Sequence, residues 1–241
     1  MTLPVVCLHG WGMRGAIFRG IAQPGWITPD LPGYGTSTLP DNATAASLAD
    51  VLSAQAPDKI ILLGWSMGSL IAQAWAARHP QQVEALILVA ATPCFQQREK
   101  WAHGLPAADV AAFAQGVASD WRATLNRFLS LQARGSEDAR SLIAQLRAEI
   151  SGAGEPRPET LAAGMRLLAE TDLRDAVSTL KQPTLLIHGE RDGICPLPAA
   201  QWLAAQMPNA QLTLIARAAH APFLSHPQAF NTLVSGFIHA R

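Results

Sequence analysis

Ser66 lies in Gly64-Trp65-Ser66-Met67-Gly68, a G-x-S-x-G pattern. A serine hydroxyl is a weak nucleophile until a base takes its proton. The pattern gains meaning from its flanks. Ile60-Ile61-Leu62-Leu63 runs into it as a continuous apolar strand, and the Ala-rich stretch from Ser69 to Arg78 leaves it as a helix. A strand, a sharp turn and a helix lift a serine Oγ clear of a parallel sheet, and small residues at both ends let the backbones meet. The bland alternative is a glycine-rich strand–helix turn with an incidental serine.

An activated serine needs an acid and a base, and after such an elbow the chain order is serine, acid, histidine. The strand Thr184–His188 ends in Gly189-Glu190-Arg191-Asp192-Gly193. Glu190 competes for the role of acid, but the Asp-Gly turn favours Asp192. The strand Leu212–Ile215 leads into Ala218-Ala219-His220-Ala221-Pro222. The chain has seven histidines, so His9, His79, His103, His188, His226 and His239 compete as base. His79 precedes a proline and reads as a helix end. His188 reads as packing at a strand end, and His226 as a surface turn. Only His220 follows the last strand. Asp192 would then fix the tautomer of His220 and stabilise its imidazolium. The oxyanion needs two fixed N–H donors. The backbone of Met67, next to the nucleophile, supplies one. The loop His9-Gly10-Trp11-Gly12, after the first strand, supplies the other through Trp11.

These loops need a scaffold. Val5–Leu8, Ile60–Leu63, Ala85–Ala90, Thr184–His188 and Leu212–Ile215 are apolar runs of strand length, with a weaker one at Trp26–Thr28. Helical periodicity lies between them, at Thr44–Gln55, Ser69–Arg78, Pro198–Gln206 and Pro227–Ile238. Alternation of this kind predicts an α/β fold with a doubly wound, mostly parallel sheet. Residues 95–177 differ. They hold no strand-like run and read as four helices, at Asp109–Ala118, Trp121–Gln132, Ser136–Ile150 and Pro158–Glu170. The expected organisation is a core of residues 1–94 and 178–241 with a helical insertion, 95–177.

Composition narrows the function classes. Hydrophobic residues make up 49% of the 241, charged residues 15%, and the formal net charge is zero. Disorder is excluded by the apolar fraction, and nothing in the balance favours nucleic acid. No run approaches the ~18 apolar residues of a membrane span, and the first residues lack the pattern of a secretory leader. Three scattered cysteines form neither a disulfide framework nor a zinc pattern, which suits a cytoplasmic protein.

His9-Gly10-Trp11-Gly12, Asp30-Leu31-Pro32-Gly33-Tyr34-Gly35, the serine elbow, Thr92-Pro93-Cys94-Phe95, Asp192-Gly193 and Ala218-Ala219-His220-Ala221-Pro222-Phe223 together resemble the α/β-hydrolases. Ala56-Pro57-Asp58-Lys59 and Arg127-Phe128-Leu129-Ser130-Leu131-Gln132 extend the likeness to the pimeloyl-[acyl-carrier protein] methyl ester esterases. The resemblance implies a monomeric serine carboxylesterase of biotin synthesis that needs no metal or organic cofactor. It acts on the pimeloyl-acyl-carrier protein methyl ester, with the insertion as lid. It implies Trp11, Met67, Phe128, Leu131 and Phe223 as pocket walls, and Arg122, Arg127 and Arg140 as docking points for the carrier protein. Between Asp120 and Arg147 the chain carries five arginines against three acids, which suits an acidic partner. Few residues precede His9, so the sheet is expected to lack one or two edge strands, leaving six or seven. A broad short-chain carboxylesterase would share the triad. A non-catalytic binding module would break it, and a haloalkane dehalogenase would need Asp at position 66.

Overall fold

The computed structural model describes residues 3–240; the opening Met-Thr of the segment read as lacking a leader lies outside them. Five parallel strands form one sheet in the order of the chain: β1 (Val5–Leu8), β2 (Ile60–Trp65), β3 (Val83–Val89), β4 (Thr184–Gly189) and β5 (Ala210–Ile215). Among the described residues the sheet is therefore one strand short of the smaller expectation. The run Trp26–Thr28 is caught between Pro24-Gly25 and Pro29, so it makes only a bridge. Ile27 donates to the Val5 carbonyl and accepts from Cys7, both at 2.8 Å.

Alternation along the strands divides the core. Val6, Leu8, Leu62, Leu86, Leu88 and Leu186 face α1 (Ala45–Ser53), α2 (Met67–Arg78) and α6 (Leu197–Gln206). Val5, Cys7, Ile61, Leu63, Ile87 and Ile187 face a layer that includes the turn Gly15–Phe18, α7 (Pro222–Ser225) and α8 (Pro227–His239). A sheet buried on both faces explains the continuous apolar runs of β2 and β4, whose residues are all buried. Local signals set the helix limits. Thr44 caps α1 in a reciprocal capping box with Ser47.

Between β3 and β4 lie α3 (Ala107–Ala133), α4 (Ala139–Ala153) and α5 (Pro158–Glu170). Four helices were expected here. The first two run together as α3, but Asp120 breaks the helical path at φ −151°, ψ 86°. Its Oδ1 accepts from the Ala123 N–H at 3.0 Å, so Asp120 acts as an N-cap within the helix. The two ends of the insertion meet: the Leu173 N–H donates to the Pro93 carbonyl at 2.9 Å. Among the described residues, no helix is long and apolar enough to cross a membrane.

The sheet places the site through two glycines. A Cβ on Gly64 would lie 2.5 Å from the Gly68 carbonyl, and one on Gly68 would lie 2.2 Å from the Leu8 carbonyl. The start of α2 thus presses on the ends of β1 and β2 with no room for a methyl group. Gly68→Ala is expected to lower stability by about 1–3 kcal/mol through overpacking. A fall in the urea midpoint relative to wild type checks this, and an unchanged midpoint would show that the elbow can give way.

Candidate active site

Ser66 follows β2 directly, and its backbone sits at φ 56°, ψ −120°. A left-handed non-glycine residue costs about 1–3 kcal/mol, and it persists only where its surroundings enforce it. Here the Ser66 N–H donates to the Val89 carbonyl at 3.0 Å, and its own carbonyl accepts from Ser69 Oγ at 2.6 Å. Both ends of the strained residue are thereby held.

His220 Nε2 lies 2.8 Å from Ser66 Oγ. His220 Nδ1 lies 2.9 Å from Asp192 Oδ2 and 3.0 Å from Oδ1. A carboxylate only accepts, so Nδ1 carries the proton and Nε2 is left to receive that of the serine. The three predicted residues therefore meet as a connected chain of bonds. All three residues are buried, and the side chains of Asp192 and His220 are fully so. Burial alone would raise the Asp192 pKa, but the two imidazoles and the turn amides that face the carboxylate hold it below its ordinary value. Glu190, the rival acid, is turned away and accepts from the Arg217 N–H at 3.1 Å.

The His220 loop is fixed from three sides. Trp65 Nε1 donates to the His220 carbonyl at 2.8 Å, and the His220 N–H donates to the Gln132 carbonyl at 3.2 Å. The acid loop lies against it: the Arg191 N–H donates to the Ala218 carbonyl at 2.9 Å. A Cβ on Gly189 would stand 2.0 Å from the Ala219 carbonyl, so only glycine permits this approach.

On the other side of the serine, a Cβ on Gly10 would come within 3.3 Å of Ser66 Cβ, which puts the loop after β1 against the nucleophile. Met67 opens α2, so its N–H has no partner within the helix. Trp11 is buried; its Nε1 donates to the Leu161 carbonyl at 2.9 Å, and its ring meets Phe128 edge-on at 4.9 Å. Gly164 of α5 lets the insertion close on this loop, for a Cβ there would lie 2.6 Å from Trp11 Cδ1 and 3.3 Å from Met67 Sδ.

His9, weighed only as a rival base, does structural work that the sequence did not reveal. Its Nδ1 donates to the Gly10 carbonyl at 2.9 Å, and its Nε2 accepts from the Leu31 N–H at 2.9 Å. The ring is neutral by this pattern, and burial lowers its pKa to about 4. Tyr34 packs on it edge-on and accepts the Gly12 N–H at 3.0 Å. Together the two rings brace the loop that carries Trp11. The His9-Gly10 pair after an apolar strand was the one available signal.

A cavity of about 250 Å³ lies between the insertion and the acid loop, walled by Phe95, Phe113, Phe128, Leu131, Met165 and Ile194, with Asp109, Arg127 and Arg134 also lining it. Phe128 and Leu131 thus line this cavity. Phe223 does not: it packs against Phe18, Trp65 and Phe230 in the core behind the His220 loop. The first turn of α7 turns it inward. Arg122, Arg127 and Arg140 are all exposed. Arg122 pairs with Glu155 at 2.6 Å, and the Arg127 guanidinium lies over the Phe113 ring at 5.3 Å.

A family model described as alpha/beta hydrolase fold matches residues 4–227. The chain belongs to the α/β-hydrolase family. Relatives of this hydrolase include proteins named pimeloyl-[acyl-carrier protein] methyl ester esterase. The one from Chromobacterium violaceum is 42% identical, covering 94% of this chain and 90% of its own. The one from Aeromonas hydrophila is 39% identical, covering 97% and 94%. Among solved structures, an esterase from Exiguobacterium antarcticum superposes with a TM-score of 0.86 at 24% identity, covering 98% of this chain and 92% of its own. A bromoperoxidase from Bacillus anthracis gives a TM-score of 0.87 at 22% identity, covering 99% and 92%. These two likenesses show the fold. The hydrolase is a carboxylic ester hydrolase with a Ser66–His220–Asp192 triad.

Two outcomes are expected. Ser66→Ala lowers kcat on a short p-nitrophenyl ester on the order of 10⁶-fold with the fold unchanged by circular dichroism; retained turnover would rule Ser66 out as nucleophile. Stability should fall as pH drops from about 6.5 towards 4, because unfolded His9 binds a proton in that window and folded His9 does not. The shift to about 4 corresponds to ~3 kcal/mol. Buried His188, whose pKa is also lowered by desolvation, adds in the same direction. The urea midpoint should decline with acid, less steeply in His9→Gln; a midpoint independent of pH would contradict the assignment.

Proposed function

We infer that this chain hydrolyses the methyl ester of a pimeloyl group borne by acyl-carrier protein, on the route to biotin. One conjunction carries the reading: a complete buried triad in a chain similar, nearly end to end, to esterases named for that substrate.

The chemistry follows from the geometry. Ser66 Oγ attacks the ester carbonyl while His220 Nε2 takes its proton. The oxygen that becomes negative is met by the Met67 and Trp11 backbone N–H groups; losing one such donor typically costs ~3 kcal/mol of transition-state stabilisation. His220 returns the proton to the departing methoxide, and methanol leaves. Water then gives its proton to His220 and attacks the acyl-enzyme. Proton return to Ser66 frees the distal carboxylate. These steps call on no metal or organic cofactor. Asp192 stays ionised throughout and balances the imidazolium.

Residues 1–94 and 178–241 serve as the core in this reading, and 95–177 as lid and dock. Phe128 and Leu131 offer the acyl chain an apolar wall in the cavity beside the acid loop. Trp11 and Met67 lie where α5 closes on the elbow. Arg122, Arg127 and Arg140 supply positive charge to an acidic carrier. Arg122 must exchange Glu155 for a partner on the carrier, a small barrier because exposed pairs contribute little. Three buried free thiols fit a reducing cytoplasm.

A double variant Arg122→Glu/Arg140→Glu, both outside the cavity lining, is expected to lose about tenfold or more in kcat/KM on the carrier-linked methyl ester and to stay within about twofold of wild type on a short p-nitrophenyl ester. Equal losses on both would remove the docking role. Wild type with no preference for the carrier-linked ester would favour a general short-chain carboxylesterase.

A further inference from the structure

The acid loop holds a second buried imidazole that the reaction scheme leaves unused. His188 lies near the C-terminal end of β4 and is 1% exposed. Its Nε2 is 2.9 Å from the Cys195 carbonyl. A carbonyl only accepts, so Nε2 bears the proton and donates it. The same nitrogen stands 3.6 Å from Asp192 Oδ2. Nδ1 is buried and has no hydrogen-bond partner among the described residues. A neutral ring leaves only a lone pair idle there, whereas a charged ring would bury an unpaired N–H. Burial lowers the His188 pKa accordingly.

The surroundings of Asp192 show what such a ring can do. Oδ1 accepts from the Ile194 N–H at 2.8 Å and the Cys195 N–H at 3.0 Å. Both amides belong to the turn whose Cys195 carbonyl is bound by His188. Oδ2 faces two rings, His220 Nδ1 at 2.9 Å and His188 Nε2 at 3.6 Å. The carboxylate is therefore gripped by a turn on one side and two imidazoles on the other.

We propose that His188 is a positioning residue for the catalytic acid: its Nε2–H closes the Asp192–Cys195 turn and holds the carboxylate towards His220. It touches no reacting atom and acts through Asp192. The ionisable groups that act on it are Asp192 and His220; the Cys195 thiol lies with those two, within 4.8 Å of their ligand atoms. A charged His188 would compete for Asp192 and repel the imidazolium that forms on His220, so the neutral state is the working one. The proposal rests on the triad and is independent of which acyl group the enzyme carries.

Two variants separate positioning from packing. His188→Leu fills the space and removes the donor; His188→Gln keeps an N–H near the Nε2 position. Both are assayed on a short p-nitrophenyl ester across the acid limb of the pH–rate profile. The far-downfield proton resonance of the Nδ1–H between His220 and Asp192 is followed by NMR, with Tm as the stability reference. In His188→Leu, kcat should fall about tenfold or more with KM within about twofold. A loosely held carboxylate stabilises the imidazolium less, so the acid limb should move to lower pH and the resonance should shift or broaden. His188→Gln should restore kcat to within about threefold, together with the limb and the resonance. A lowered Tm in His188→Leu with kcat, acid limb and resonance as in wild type would overturn the proposal. If His188→Leu does not fold, His188→Gln decides: wild-type limb and resonance support the proposal, and a folded variant that has lost both overturns it.

Discussion

The close contact between the start of α2 and the ends of β1 and β2 governs the whole active edge. Gly64 and Gly68 allow it, and the result is a serine forced to φ 56°. From that point the other parts have little freedom. The first loop must lie against Ser66, which Gly10 permits. The base must reach Oγ from the far side, which fixes the path of the chain after β5. The acid must reach the base, which fixes the turn after β4. Strain at Ser66 is held by the Val89 carbonyl, Ser69 and His220, and positive φ recurs at Ala90 and Arg217, just past the ends of β3 and β5.

Burial turns this geometry into chemistry. In water, a serine, an imidazole and a carboxylate at these distances would exchange partners with solvent. Here Asp192 and His220 are closed off, and each hydrogen-bonding face of the carboxylate is occupied by a turn amide or an imidazole. The low local dielectric makes those bonds strong and makes any unpaired charge expensive. Neutral His9 and His188 obey the same constraint. Each sits in a buried place with a carbonyl to donate to, so each holds one tautomer and lends its polarity without adding charge.

The triad was legible because three independent local patterns agreed: strand–turn–helix around Ser66, an Asp-Gly turn after one strand and a histidine after the next. Strand existence was equally plain, since a sheet covered on both faces writes continuous apolar runs. Partners set by tertiary contact were less legible. His9 finds Leu31, and His188 finds the Cys195 carbonyl, only when distant loops fold together, so neither role could be read from its neighbours. Phe223 was expected at the pocket from the family resemblance, but the short α7 turns it into the core. Trp26–Thr28 has strand composition, yet prolines and a glycine cut it to a bridge. In the insertion, the break at Asp120 was visible as the gap between two periodic stretches, and the backbone kinks there between the two halves of α3.

The helical insertion is tied to the machinery beneath it at two points. The Gln132 carbonyl, near the end of α3, holds the backbone N–H of His220, and α5 holds the Trp11 indole through Leu161. These ties fasten the layer to the loops beneath it. It cannot lift over the serine without loosening the base and the loop opposite at the same moment. The insertion, the base and the loop that carries Trp11 are thus one hydrogen-bonded unit, so a change in the seat of these helices is felt at both sides of the serine.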